Sequence, residues 1–221
     1  MKRNSAKKRL PTLSTERLLL RPWRRDDVAA FAALNSDPQV MAHFPALLSE
    51  TESAIAAMRI ASHIERHGFG LWVVEARKVA PFVGVVGLSM PGFVIPFTAS
   101  DPCVEVGWRL APPFWGRGYA TEAARAALTF GFDVMGLDEI VSFTNPDNWR
   151  SRRVMERLGM THPVGEDFDH PGLPPGHPLR GHVLYRLRAA APGARSRSSG
   201  ARAGDAADSR SGGGMTSSSA K

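Results

Sequence analysis

A single cysteine, Cys103, in 221 residues excludes an internal disulfide and with it the stapled secreted scaffold. No clean apolar run long enough to span a bilayer is present. The uncharged stretch 79–100 contains Pro81, Gly84, Gly87, Pro91, Gly92 and Pro96, so it reads as a strand, a turn and a loop. The basic start runs into Pro11, Thr12 and Ser14 with no apolar segment behind it, which disfavours export and gives a cytoplasmic location as the expectation. Metal-site spacing is missing too: His162, His170, His177 and His182 are interleaved with prolines and read as loop packing, with no metal expected.

The chain also lacks charge of one sign where a polyanion would need it. The formal net charge is +7, but Lys2, Arg3, Lys7, Lys8 and Arg9 carry five positive charges at one end. Arg195, Arg197, Arg202, Arg210 and Lys221 against Asp205 and Asp208 carry a net three at the other. The body between them is therefore near neutral, which leaves no electrostatic footprint for specific nucleic-acid binding. Weak, salt-sensitive tail contacts are all that is expected of RNA. The tails read as solubility extensions, with ribosome or RNA tethering as the alternative.

What is present is ordinary for a soluble globular chain: 43 % hydrophobic and 22 % charged residues. The organisation expected is a basic disordered arm over residues 1–11, a folded domain over 12–188, and an Ala/Gly/Ser/Arg-rich disordered tail over 189–221. Within the body, strand and helix periodicities alternate, as in a mixed α/β sheet protein. Strands are expected at 16–21, 69–75, 82–88, 104–110, 139–144 and 182–187. Helices are expected from Asp26-Asp27 to Leu34, from Ser49 to Gly68 with Ser49 and Glu52 as a capping box, from Ala120 with a small-residue face of Ala124, Ala127 and Gly131, and from Asn148 to Leu158. In the strand at 104–110, Val104, Val106, Trp108 and Leu110 alternate with Glu105, Gly107 and Arg109, which puts Glu105 on the face opposite the valines.

The turn Gly116-Arg117-Gly118 between that strand and the next helix is a candidate anion site, because glycines let backbone N–H groups approach and the helix N-terminus adds partial positive charge. A tight turn is the plain alternative. No Gly-Lys-Ser/Thr follows, and the third glycine of a dinucleotide fingerprint is missing. The stretch Trp115-Gly116-Arg117-Gly118-Tyr119-Ala120-Thr121-Glu122-Ala123, together with Asn148-x-x-Ser151-x-x-Val154-x-Glu156-x-Leu158-Gly159-Met160, resembles the GNAT superfamily of N-acetyltransferases. Within it, the branch resembled is that of the Rim-type ribosomal-protein N-terminal acetyltransferases. The likeness runs from Thr15 to about Leu187. Trp115 stands where the family pattern usually has Gln or Arg.

The resemblance implies a GNAT-like fold, a central, mostly antiparallel twisted sheet of about six or seven strands with flanking helices, working on acetyl-CoA. It implies that backbone N–H groups of Gly116, Arg117, Gly118, Tyr119, Ala120 and Thr121 cradle the diphosphate. Main-chain groups of Trp108 and Leu110, and the side chain of Asn148, would hold the pantetheine arm. Direct attack of an amine on the thioester needs a base and a source of charge and proton at the leaving sulfur. Glu105 is the candidate base. Many members protonate the thiolate with a tyrosine at the position occupied here by Met155, so Ser151 is the replacement, with helix capping as its plain alternative. Cys103 reads as a small buried hydrophobe, since GNAT-like transfer needs no acyl-enzyme. Trp23, Trp72, Trp108 and Trp149 read as core or pocket wall. Asp167, Asp169 and His170 are candidates for holding an ammonium group.

The acceptor expected is a primary amine, with a protein or peptide N-terminus first. Polyamine- or antibiotic-like small amines are the alternative, and a non-catalytic acyl-CoA-binding or ribosome-associated module is the competing class. Monomer and homodimer are both compatible with the sequence.

Overall fold

The computed structural model describes residues 10–100 and 102–190. The expected tails therefore lie outside the described residues except at their inner ends. There Leu10 is buried in the main core and the Pro11 carbonyl accepts the indole N–H of Trp72 at 2.6 Å, while Ala189 N–H donates to the Asp138 carbonyl.

Eight strands form the sheet: β1 (Leu13–Ser14), β2 (Leu18–Arg21), β3 (Leu71–Ala76), β4 (Ala80–Ser89), β5 (Glu105–Leu110), β6 (Glu139–Thr144), β7 (Phe168–Asp169) and β8 (Gly181–Arg188), in the order β1-β2-β3-β4-β5-β6-β8-β7. Every pairing is antiparallel except β5 with β6. The mixed, mostly antiparallel sheet agrees with the reading above. The strands beyond the expected six or seven, β1 and β7, are two-residue edges, too short to carry a period of two.

β3 and β4 are buried on both faces. Apolar/polar alternation would suit a sheet buried on one face only, but here Trp72, Val74, Val83, Val86 and Leu88 join the main core with α4 (Tyr119–Thr129), whereas Val73 and Val85 pack under the helices on the other face. That second layer is α1 (Asp27–Ser36), α2 (Pro38–Met41) and α3 (Glu50–His67). The capping box at Ser49 and Glu52 is formed, and Gly68 at φ 82° ends α3. Ala124 and Ala127 of α4 are fully enclosed, so its small-residue face serves packing against the sheet. A π-helical extension, Phe130–Val134, follows α4, and α5 (Trp149–Arg157) follows β6. No helix among the described residues is long and apolar enough to cross a membrane.

Candidate active site

The site begins where the sheet stops pairing. β5 and β6 run parallel but share one register pair, Glu105 with Val141, where Val141 N–H donates to the Val104 carbonyl at 2.9 Å. Beyond it each strand continues without its neighbour. Ala111 N–H donates to the Val83 carbonyl, so in the antiparallel register with β4 the odd residues of β5 exchange hydrogen bonds with that strand. The main-chain groups of Trp108 and Leu110 therefore point into the opening. One of them is already taken: Trp115 Nε1 donates to the Leu110 carbonyl at 2.7 Å. Among the described residues, the Trp108 N–H and C=O and the Leu110 N–H are left as an unpaired edge.

A cleft of about 1090 Å³ fills this opening. Glu105, Trp108, Leu110, Gly116, Gly118, Tyr119, Ala120, Thr121, Asn148 and Ser151 all line it. Arg117 alone among the expected catalytic and cofactor-binding residues does not. Its side chain is exposed, and its carbonyl accepts Arg17 Nη1 at 2.9 Å.

At one end, Gly116 and Gly118 adopt φ of 72° and 79°, left-handed conformations that glycine takes without steric cost. They lead into α4, which has Gly118 at its N-cap and no side chain capping it. The first helical bond is Glu122 N–H to the Gly118 carbonyl. Among the described residues, the N–H groups from Gly116 to Thr121 meet no protein acceptor. This concentration of orphan donors at a helix N-terminus suits an anion. Arg17 braces the turn from outside: it pairs with Glu122 at 2.6 Å and lies 5.0 Å from the Tyr119 ring centroid. Hydrogen bonds from Thr15 and Arg17 outweigh burial and hold the Glu122 carboxyl below its ordinary range.

Across the opening, Asn148 caps α5. Its Oδ1 accepts Ser151 N–H at 3.2 Å and its Nδ2 donates to Thr144 Oγ1 at 2.9 Å. The capping alternative considered for Ser151 thus belongs to Asn148, leaving the Ser151 hydroxyl without a partner among the described residues. Asn148 retains one amide hydrogen for anything in the cleft. Met155 is buried in the cleft wall. The chain has two tyrosines. Tyr119 lies under Arg17, and the Tyr185 hydroxyl is engaged by Arg152 and Glu156, outside the cleft lining.

On the floor, Glu105 retains some exposure toward the cleft, yet protein encloses its carboxyl and burial pushes it up to about 8. No hydrogen bond or ion pair ties it to the described residues. Arg109, two steps along the same face, was not singled out by its sequence context although the alternation put it beside Glu105. Its Nη1 donates to Asn35 Oδ1 and its guanidinium lies 4.0 Å from the Phe44 ring centroid. Burial lowers it to about 10, so it is still a cation at neutral pH. His43, also unanticipated, lines the cleft with a buried Nδ1 that finds no partner among the described residues.

Two of the expected ammonium holders are elsewhere. Asp167 pairs with His162 at 2.6 Å and Asp169 with Arg180 at 2.8 Å, and neither lines the cleft. His170 does, together with His182, and burial lowers both. Trp72 is a core residue, Trp23 donates to the Leu71 carbonyl, and Trp108 and Trp149 are cleft wall. Cys103 is buried, as expected.

Comparison with known proteins bears on the family and the fold. The model of the acetyltransferase (GNAT) domain matches residues 17–161. A protein of Aspergillus fumigatus named FsC-acetyl coenzyme A-N(2)-transacetylase is 34 % identical over 183 residues, 80 % of this chain and 76 % of its own length. The crystal structure of an acetyltransferase from Agrobacterium tumefaciens superposes with a TM-score of 0.65 at 26 % identity, covering 85 % of this chain and 100 % of that one. Mycobacterium smegmatis RimJ in complex with CoA-disulfide shares the fold, with a TM-score of 0.63 at 22 % identity over 81 % of this chain and 88 % of its own.

Proposed function

Because the chain belongs to the GNAT acetyltransferase family, we propose that it transfers an acetyl group from acetyl-CoA to a primary amine, both substrates being held together in the cleft. One observation carries this reading. The turn whose N–H groups are orphaned (Gly116, Gly118, Tyr119, Ala120 and Thr121), the open edge at Trp108 and Leu110, and the carboxyl of Glu105, which has no partner among the described residues, all border one continuous opening.

These residues fit coenzyme A. The turn 116–121 would take the diphosphate, the β5 edge the amide groups of the pantetheine arm, and the free amide hydrogen of Asn148 the same arm. When bound, acetyl-CoA supplies an acyl carbon activated as a thioester. Glu105 accepts the proton that an ammonium acceptor sheds before its nitrogen can attack, directly or through a water. The Leu110 or Trp108 N–H would donate to the acyl oxygen as charge gathers there. Ser151 donates a hydrogen bond to the departing sulfur. An alkyl hydroxyl is too weak an acid to complete the transfer alone, so the proton itself comes from water or from the acceptor nitrogen once it has attacked and carries a positive charge.

A peptide N-terminus is the first acceptor of this proposal, supported by the resemblance of the motif pair to the Rim-type branch. The test has two parts. Calorimetry should show acetyl-CoA binding, and thiol release should then depend on added peptide or small amine. Binding without acceptor-dependent thiol would favour the non-catalytic module, and no binding at millimolar acetyl-CoA would end the assignment.

A further inference from the structure

The acceptor half of the cleft has an electrostatic asymmetry that the acyl-transfer chemistry does not require. Glu105, Gly107 and Arg109 stand in line on one face of β5, and the four residue steps from Glu105 to Arg109 span on the order of 13 Å. Between the two charged side chains the floor is bare: a Cβ built at Gly107 would meet nothing closer than Glu105 Oε1 at 3.7 Å. Arg109 is fixed rather than loose. Asn35 of α1 holds its Nη1, Phe44 covers its face at 4.0 Å and Phe31 lies 6.0 Å away. No carboxylate among the described residues pairs with it, and its Nε is buried without an acceptor among them. A guanidinium held without an anion costs desolvation energy that an incoming anion or carbonyl would repay.

We propose that Arg109 sets acceptor class: the preferred substrate carries, several bonds from its reacting amine, a carboxylate or amide carbonyl oxygen that docks on the guanidinium while the amine lies over Glu105. This inference rests on the acyl-transfer reading above. It selects ω-amino carboxylates and peptides, whose backbone places a carbonyl one or two residues beyond the amine. It disfavours polyamines, whose second ammonium would be driven against Arg109. The positions of Glu105 and Arg109 also argue against acceptors with amine and carboxylate on adjacent atoms alone.

The test needs no variant at first. Thiol release by the full chain with acetyl-CoA is measured for four acceptors: an ω-amino carboxylate of six carbons, its primary amide, the diamine of equal length and a tripeptide amide. The acid, the amide and the peptide should each exceed the diamine in kcat/KM by roughly ten- to hundredfold, the ordinary worth of a hydrogen bond to a charged group. Arg109→Leu should collapse that preference, mainly by raising the acceptor KM, and Arg109→Lys should restore part of it for the acid. Calorimetry with acetyl-CoA reports whether each variant is folded. A diamine turned over as well as the acid by the parent enzyme, or a preference that survives Arg109→Leu, overturns the inference and leaves the acyl-transfer reading standing. Acetyl-CoA binding with no turnover of any acceptor would remove both.

Discussion

Exchanging Glu105 for Gln is the sharpest probe of the site, because the structure gives the size of the effect as well as its direction. Burial pushes this carboxyl from 4.5 up to about 8, so roughly one-tenth is ionised at pH 7 and roughly nine-tenths at pH 9. A base works only when unprotonated, so its contribution should grow about ninefold across that interval and level off above it. The acceptor amine titrates in the same range but identically in both enzymes, so the ratio of parent to Glu105→Gln rates isolates the carboxyl. With general-base catalysis worth about a hundredfold when fully expressed, the ratio should be about 10 at pH 7 and approach 100 at pH 9. Steady-state thiol release over pH 6–10 measures it. The same shift has a stability consequence with a definite sign. Folding disfavours the ionised form, so parent stability falls as pH rises from about 4.5 to about 8. The Gln variant lacks that loss. Its melting temperature should match the parent near pH 4.5 and exceed it by pH 8. A rate ratio near one at all pH values would show that Glu105 is not the base, and a flat ratio well above one would show that it acts without titrating in this range.

Three further substitutions separate the parts of the cleft. Gly118→Ala should weaken acetyl-CoA binding by about 5- to 30-fold in calorimetry, since left-handed backbone costs an L-residue about 1–2 kcal/mol and its Cβ would come within 3.3 Å of Arg17 Nη2. Trp115→Phe keeps the ring but strands the Leu110 carbonyl, and should lower stability to urea by about 1–3 kcal/mol. Ser151→Ala should reduce kcat severalfold while leaving acetyl-CoA affinity within twofold, because its backbone N–H still reaches Asn148; a changed affinity with unchanged kcat would make Ser151 a binding residue instead.

Local signals carried most of the architecture. The capping box at Ser49, the glycine at 159 and the alternation through 104–110 each act over a few residues, and each appears where the pattern put it. The glycine turn was readable for the same reason, since left-handed backbone at 116 and 118 is written in the residue type. Long-range pairings were not readable. Asp167 and Asp169 look like free carboxylates in a loop until His162 and Arg180 fold onto them. The burial that raises Glu105 comes from elements distant in the chain. Arg109 was visible as one polar member of an alternating strand, but what fixes it, Asn35 and Phe44, lies more than 60 residues earlier. Trp115 was legible only as a departure from a pattern, and its hydrogen bond to Leu110 supplies a reason for the indole.

Under the acyl-transfer reading, the two halves of the reaction would be separated by the geometry of one strand. In β5 the main-chain groups of the even residues lie in the sheet plane and face the gap left by β6, while the side chains of Val106 and Leu110 are spent on the core beneath α4. Side chains of the odd residues rise on the opposite face, toward α1 and α3, and their main-chain groups are used up by β4. Under the acyl-transfer reading, the donor is therefore gripped by backbone, which any side chain at Trp108 or Leu110 would supply if the strand holds. The acceptor instead meets Glu105, the bare floor at Gly107 and Arg109. Substitutions at odd positions can thus change which amine is chosen without disturbing how the thioester is presented, provided the gap past Glu105 and Val141 stays open.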